Sequence, residues 1–404
     1  MIPTLTSIPK PMLADPIPVP VMDLELVRAM DPDVIRRVWL NSRTHFGPDM
    51  TEELWLERAA LRTSLDLGPG VEHKIWILVP KGRGNDPSAI LSAVHSYDRA
   101  GLMSEKCSEV RDVADQQSIN GSGQTDVQLK DIRIAYVLLV FTPTEHRRRG
   151  YAKTMLGMLK DQLERQTDPP LELSFLYSSV GANFYESSGW PAIRSRELVI
   201  EVPGHVFPEL PSGSVNNIYE IEDITEVNIQ EIMDKDVELL RSDMEQRALA
   251  AAPQNLRFAA IIPEARIFRG QLAIAQFTNS KVVKADRLIT RMGLRLLNAD
   301  TPDNNGEHAF IIWTYLVPHK LLLILRTRYQ TVYQLQRLLT EALKDAREWD
   351  LAKVEMWDLK DEDAIMASGI PNRDRAVGWS CLGQLRPRAA PVELLLNEAF
   401  IWGL

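Results

Sequence analysis

The longest uninterrupted hydrophobic pattern worth reading first is Ile134–Phe141, eight residues of nearly continuous apolar character. A run of this length without alternation predicts a strand buried on both faces. The period then changes. Tyr151, Met155, Met158, Leu159 and Leu163 fall on one face of a helix over about 151–166, which Asp168-Pro169-Pro170 ends. Upstream, helical patterning covers 31–66. Asp31-Pro32-Asp33 supplies a capping residue and a first-turn proline, and Val34, Val38 and Leu40 form the first apolar stripe. Leu54, Trp55, Ala59 and Leu61 continue it until Gly68-Pro69-Gly70. Strands are predicted at Ile75–Val79, Ile90–His95, Leu171–Tyr177 and Glu197–Val202, with a short helix through Phe184 and Tyr185 closed at Gly189.

Residues 203–216 are rich in proline, glycine and serine and mark a boundary between two domains, 21–202 and 217–404. Beyond it the pattern predicts a helix near 225–250, strands at 310–317 and 321–327, a helix over 330–349 and a strand at 353–359. This order echoes the first domain. Residues 1–20 contain six prolines and no continuous apolar run, which predicts an extended arm and no secretory signal. The polar stretch 115–126 predicts a loop; with no strand before it and no lysine after it, it is not a phosphate loop.

Composition narrows the classes. The length of 404 residues suits two cores, and a net charge of −9 argues against a nucleic-acid partner. Two distant cysteines, Cys107 and Cys381, make neither a disulfide framework nor a zinc site and fit a reducing, cytoplasmic setting. Pro318-His319-Lys320 interrupts the longest apolar stretch, Ala309–Leu325, so neither part approaches the roughly 20 residues of a membrane helix and no membrane partner is expected. No H-E-x-x-H or C-x-x-C spacing offers a metal site, and no G-x-S-x-G elbow is present.

The chemistry concentrates at Arg147-Arg148-Arg149-Gly150, where the helix after the buried strand begins. A helix N-terminus carries about half a positive charge, so cations there are misplaced unless an anion joins them. Gly150 allows close backbone approach, and the first-turn amides point outward. The sequence alone leaves two readings, a solvated basic turn or an anion site; the preceding strand favours the second.

Arg147-x-x-Gly150-x-Ala152 resembles the R/Q-x-x-G-x-G/A signature of the GCN5-related N-acetyltransferase (GNAT) superfamily, and Phe184-Tyr185-Glu186-Ser187-Ser188-Gly189-Trp190 is similar to that family's later F-Y-x-x-x-G-F segment. Val140-Phe141-Thr142-Pro143, Glu145-His146-Arg147 and Leu176-Tyr177-Ser178-Ser179-Val180-Gly181 look like the fungal lysine N6-acetyltransferase family of lysine catabolism, firmly over 70–200 and only vaguely beyond 210. One departure is that Pro143 stands a residue further from the arginine than is usual, which implies an enlarged turn.

The resemblance implies an α/β (α+β) fold, a mixed, mostly antiparallel sheet flanked by helices, with a second α/β domain as a degenerate GNAT-like unit covering the acceptor site. It implies acetyl-coenzyme A as cosubstrate and a small amine, free lysine first, as acceptor. A protein lysine acetyltransferase and a non-catalytic acetyl-coenzyme A binder remain alternatives. The backbone of Leu139, Val140 and Phe141 would hold the pantetheine arm; Arg147, Arg148, Arg149, Gly150, Tyr151 and Ala152 the pyrophosphate; Phe184 would flank them. Tyr185 is implied as the acid for the leaving sulfur; the alternative is a packed core tyrosine.

Acyl transfer to an amine also needs a proton acceptor and an oxyanion donor. The strand 134–141 has no carboxylate, so His95, Asp98 and Asp131 are the base candidates, with Glu145 and the C-terminal carboxylate of Leu404 as remoter ones; a backbone amide near Leu139 or Val140 would serve the oxyanion. In the second half, Arg326-Thr327-Arg328-Tyr329-Gln330 lacks a glycine and would not approach a pyrophosphate. Trp313, Tyr315 and Trp357 are candidate walls of the acceptor site, each equally readable as core.

Overall fold

The computed structural model describes residues 20–66, 68–69, 71–106, 127–166, 168, 170–178, 180–209, 219–251, 256–298, 308–374, 379–385, 391–395 and 398–401. Residues 1–19 of the arm, the 115–126 loop, Cys107 and the Leu404 carboxylate lie outside the described residues.

Strand β1 (Leu24–Arg28) precedes α1 (Pro32–Phe46), where the Asp31 carboxylate accepts from the amides of Asp33 and Val34 at 2.9 and 3.1 Å. Thr51 caps α2 (Glu52–Ser64) in the same way. The continuous patterning over 31–66 is therefore two helices, separated at Gly47, where any side chain would collide with the Trp55 indole. Strands β2 (Lys74–Pro80), β3 (Ser92–Lys106) and β4 (Val127–Phe141) follow, so Ile134–Phe141 is the second half of a longer strand. Then come α3 (Tyr151–Arg165), β5 (Leu171–Ser178), α4 (Ala182–Glu186), β6 (Ala192–Ile193) and β7 (Arg196–Glu201).

The second half runs β8 (Tyr219–Ile224), α5 (Ile229–Ala250), β9 (Arg257–Ile261), α6 (Ala265–Phe277), β10 (Gly293–Asn298), β11 (Ala309–Leu316) and β12 (Leu321–Arg328). It continues with α7 (Val332–Glu348), β13 (Lys353–Trp357), α8 (Asp361–Ser368), β14 (Arg373–Asp374), β15 (Trp379–Gln384) and β16 (Val392–Leu395). Several of these, α6 and β8 to β10 among them, carry no pattern that sequence reading picked out.

Two sheets result. The first has the order β1-β2-β3-β4-β5-β15-β6, with β9 joined to the far part of β3 and β16 to β9. Along that main order every pair is antiparallel except β4–β5. The second has the order β14-β7-β13-β12-β11-β10-β8, and there the single parallel pair is β12–β13. The two halves exchange strands: β15, from the second half, pairs with β5, and β7, from the first, pairs with β13.

The largest buried cluster lies between the sheets. Tyr97, Tyr136 and Phe175 of the first meet Phe310, Ile312, Leu325 and Trp357 of the second, with Phe268 of α6 and Phe400 filling the layer. Helix α3 covers the other face of the first sheet through Tyr151, Met155, Leu156, Leu159 and Leu163, with Met158 partly buried beside them. Helix α7 covers the outer face of the second.

Candidate functional site

Strands β4 and β5 run side by side from Arg133 and Leu171 only as far as Val137 and Leu176. Beyond that point they separate. Leu138–Phe141 on one side and Tyr177–Ser178 on the other belong to the strands without pairing with each other. On the opposite edge of β4 the register to β3 shifts: Leu138 faces His95 and Phe141 faces Ala93, so two residues oppose one. Leu139 takes φ +50 in this bulge. A bulge of this kind turns backbone groups away from the ladder and toward whatever lies in the gap. A cleft with unpaired strand backbone on its walls therefore opens toward the start of α3.

That start has the features that an anion site requires. Thr144–His146 form a short turn of 3₁₀ helix between Pro143 and Arg147. The Arg147 Nε donates back to the Thr142 carbonyl at 3.0 Å, and its guanidinium lies over Phe141, which closes the loop on the strand end. Arg148 and Gly150 both have positive φ, +63 and +81. A Cβ on Gly150 would meet nothing within 4 Å, so the space beside the backbone is open. Helix α3 has no side-chain cap and no acidic residue in its first turn, whereas α1 and α2 have both. Its first backbone bond runs from the Thr154 amide to the Gly150 carbonyl. The helix dipole, Arg148, Arg149 and Lys153 thus stand together without a carboxylate of the first turn to offset them. These features fit a pyrophosphate at Gly150 with an extended arm along β4. Tyr151 is buried, so its side chain holds the helix down and only its backbone can face a ligand.

Tyr185 lies on α4 with its hydroxyl hydrogen-bonded to Ser178, the last residue of β5, at the mouth of the gap. Burial, with the Cys381 thiol beside it, raises its pKa above the ordinary phenol value, so the group holds its proton. Cys381 comes from β15 and is itself pushed up to about 12 by burial, which makes it a packing residue and no nucleophile. Phe184 sits edge-on to Tyr185 at 4.9 Å. The Trp190 indole donates to Ser174 at 3.0 Å and fits against Gly383, where a side chain would collide with it; this pins α4 over β5 and β15.

The base candidates separate. His95 is buried on the face that meets α1, 4.6 Å from the Trp39 ring and 3.0 Å from His73. Burial, then His73 and Arg62, hold its pKa well below the ordinary value, so it is neutral. Asp98 does not share its side. It is ion-paired to Arg133 at 3.0 Å and contacted by Gln166, the C-cap of α3, about 24 Å along the helix from Gly150. A depression of about 250 Å³ lined by Arg28, Lys74, Trp76 and Gln166 lies at that same remote end. Asp131 is exposed and paired with Arg241, and Glu145 is exposed.

The equivalent place in the second sheet is filled by the chain itself. Thr331 and Gln334 form a reciprocal capping box at the start of α7. Arg326 is held by Asp236 through two 2.9 Å bonds and by Glu398 at 2.8 Å, and the Thr327 amide donates to Glu398. Residues 399–401 pack on β12 just beyond. Trp357 does face the first sheet, 5.5 Å from Tyr177. Trp313 and Tyr315 do not wall the acceptor side; they point to the outer face under α7, where the Tyr315 hydroxyl donates to Asp345. The alternation of β11 determined that the two share a face, and the sheet packing determined which face it is.

Residues 206–402 match the family model described as the LYC1 GNAT-like C-terminal domain, which covers the half whose sequence resemblance was vague. Among solved structures, a probable N-acyltransferase from Enterococcus faecalis aligns at 11% identity over 90% of this chain and 73% of its own, with a TM-score of 0.50. A GCN5-related N-acetyltransferase from Anabaena variabilis aligns at 10% identity over 90% and 73%, TM-score 0.48. A tandem GNAT protein of the clavulanic acid biosynthesis pathway aligns at 11% identity over 90% and 99%, TM-score 0.45. No curated protein sequence matches. The fold is that of the GNAT acyltransferases, with a GNAT-like C-terminal domain.

Proposed function

We propose that this chain is an acyltransferase that moves the acetyl group of acetyl-coenzyme A to a primary amine by direct attack in a ternary complex, with a small amine such as free lysine as first candidate. One observation carries the reading: the β4–β5 gap, bulged at Leu139, leads straight to an uncapped, acid-free helix start opened by Gly150. Acetyl-coenzyme A would supply an acetyl group activated as a thioester. The bulge backbone at Leu139 or Val140 would donate to the carbonyl oxygen, where negative charge develops.

The acceptor must shed a proton. An amine of pKa near 10.4 is about a thousandth neutral at pH 7.4, worth about 4 kcal/mol. His95 stands across from Leu138 and is kept neutral, with His73 at hydrogen-bond distance behind it. It would relay the proton rather than keep it, because burial opposes its charged form. As the new C–N bond forms and the C–S bond breaks, Tyr185 would give its proton to the sulfur.

Free-thiol release from acetyl-coenzyme A, measured with lysine, polyamines and lysine-bearing peptides, tests the reading. Turnover with small amines supports it. Turnover with peptides alone would make the protein a peptide acetyltransferase, and binding without turnover of any amine would overturn the catalytic assignment.

A further inference from the structure

Arg99 is 1% exposed, and none of its three guanidinium nitrogens has a hydrogen-bond partner among the described residues. Such a group is rare, because a buried charge without a partner costs several kcal/mol. The guanidinium lies over the Tyr97 ring at 4.4 Å, and the Tyr97 hydroxyl is likewise buried with no hydrogen-bond partner among the described residues. Arg99 is on β3 in register with Ile134; Tyr97 faces Tyr136 and His95 faces Leu138, so all three point to the face on which the acceptor side lies. Leaning over Tyr97 brings the guanidinium toward the β4–β5 gap.

Helix α2 adds charge of the same sign nearby. Arg62 of α2 is buried and acts, with Arg99, on the Tyr136 hydroxyl. Arg58 stands one turn earlier, and burial followed by repulsion from Arg62 lowers its pKa to about 9. Among the described residues, no carboxylate acts on Arg58. Arg326, also buried, is by contrast clamped by Asp236 and Glu398. The Arg99 guanidinium and the Tyr97 hydroxyl beside it fit an acceptor that carries an anion.

We propose that Arg99 forms a carboxylate-binding subsite for the acceptor, so that the amine acetylated is one bearing a carboxylate, selected by Arg99 over its uncharged analogue. This rests on the acyl-transfer reading above. The carboxylate would take two guanidinium bonds, the geometry in which arginine binds it best, and the Tyr97 hydroxyl could donate a third.

The test compares lysine with lysinamide, identical except that the carboxylate is neutralised. In the wild-type protein kcat/KM should favour lysine by roughly tenfold to a hundredfold. Arg99→Gln should abolish the preference through KM for lysine while leaving lysinamide turnover unchanged, and Arg99→Lys should restore part of it. Equal use of the two acceptors, or a preference that survives in Arg99→Gln, would overturn the proposal. Folding is checked with Arg99→Met without ligand: removing an unpaired buried charge should leave Tm the same or raise it, and a fall would make Arg99 a structural residue. If no amine is turned over, the acyl-transfer reading falls by itself. The subsite is then judged by whether lysine, and not lysinamide, raises the wild-type Tm and loses that effect in Arg99→Gln.

Discussion

Tyr185 has two readings, a core tyrosine and a proton donor, and its surroundings are compatible with both. Its ring is buried, yet its hydroxyl reaches Ser178 where β5 leaves β4. Tyr185→Phe keeps the ring and removes only the hydroxyl, so stability should change by about 1 kcal/mol or less. Turnover at saturating acetyl-coenzyme A should fall at least tenfold with its affinity unchanged; unchanged turnover removes the role. His73 gives a second residue-scale expectation. Burial, then Arg62, lowers its pKa to about 4. In the unfolded chain it titrates near 6.5, so between about 6.5 and 4 the unfolded state binds more protons and stability rises with pH. The contribution is whole above 6.5 and is lost as pH falls toward 4, by about 3 kcal/mol. Glu398, raised to about 7 by burial, works in the opposite sense. The effect is therefore read as a difference: denaturant unfolding of His73→Gln should lose stability less steeply than wild type over that interval, and equal slopes would contradict it.

At the scale of elements, α3 differs from its neighbours in what its first turn lacks. Asp33 and Glu52 sit in the first turns of α1 and α2, beside capping side chains; α3 has Lys153 and no cap. A sequence optimised for helix stability alone would put an acid there. Lys153→Glu should accordingly hold or raise Tm by way of a few tenths of a kcal/mol, while weakening coenzyme A binding about tenfold in calorimetry. Loss of stability together with intact binding would mean that the turn is only a solvated basic surface. The α7 start makes the contrast within one chain, since its capping box and the Glu398 clamp occupy amides and an arginine that a ligand there would need.

At the scale of the molecule, the exchanged strands decide how the halves depend on each other. Strand β15 lies between β5 and β6 and carries the fully buried Cys381, so the first sheet is incomplete without the C-terminal half. Residues 1–202 produced alone should leave the β5 edge bare and aggregate. Co-expression with 203–404 should recover soluble protein with coenzyme A affinity. A cooperative, monomeric 1–202 fragment would show the exchange to be dispensable.

What the sequence determined by itself is local. The Asp31 cap, the glycine that opens the turn, the 3.6-residue stripe of α3 and the buried run of β4 each depend on residues within one or two turns of each other, and they are legible for that reason. The phosphate-type turn and Tyr185 belong to this class. The rest needed distant partners. That Asp98 serves Arg133, that Cys381 stands beside Tyr185, that Trp313 and Tyr315 turn outward and that β7 joins the other half's sheet all follow from which apolar faces bury against each other. Arg99 is the sharpest case. In the sequence it is one arginine on a strand; only the packing of α2, β3 and β4 around it makes it a buried cation with no hydrogen-bond partner among the described residues, because pairing and desolvation are set by neighbours that chain order does not bring together.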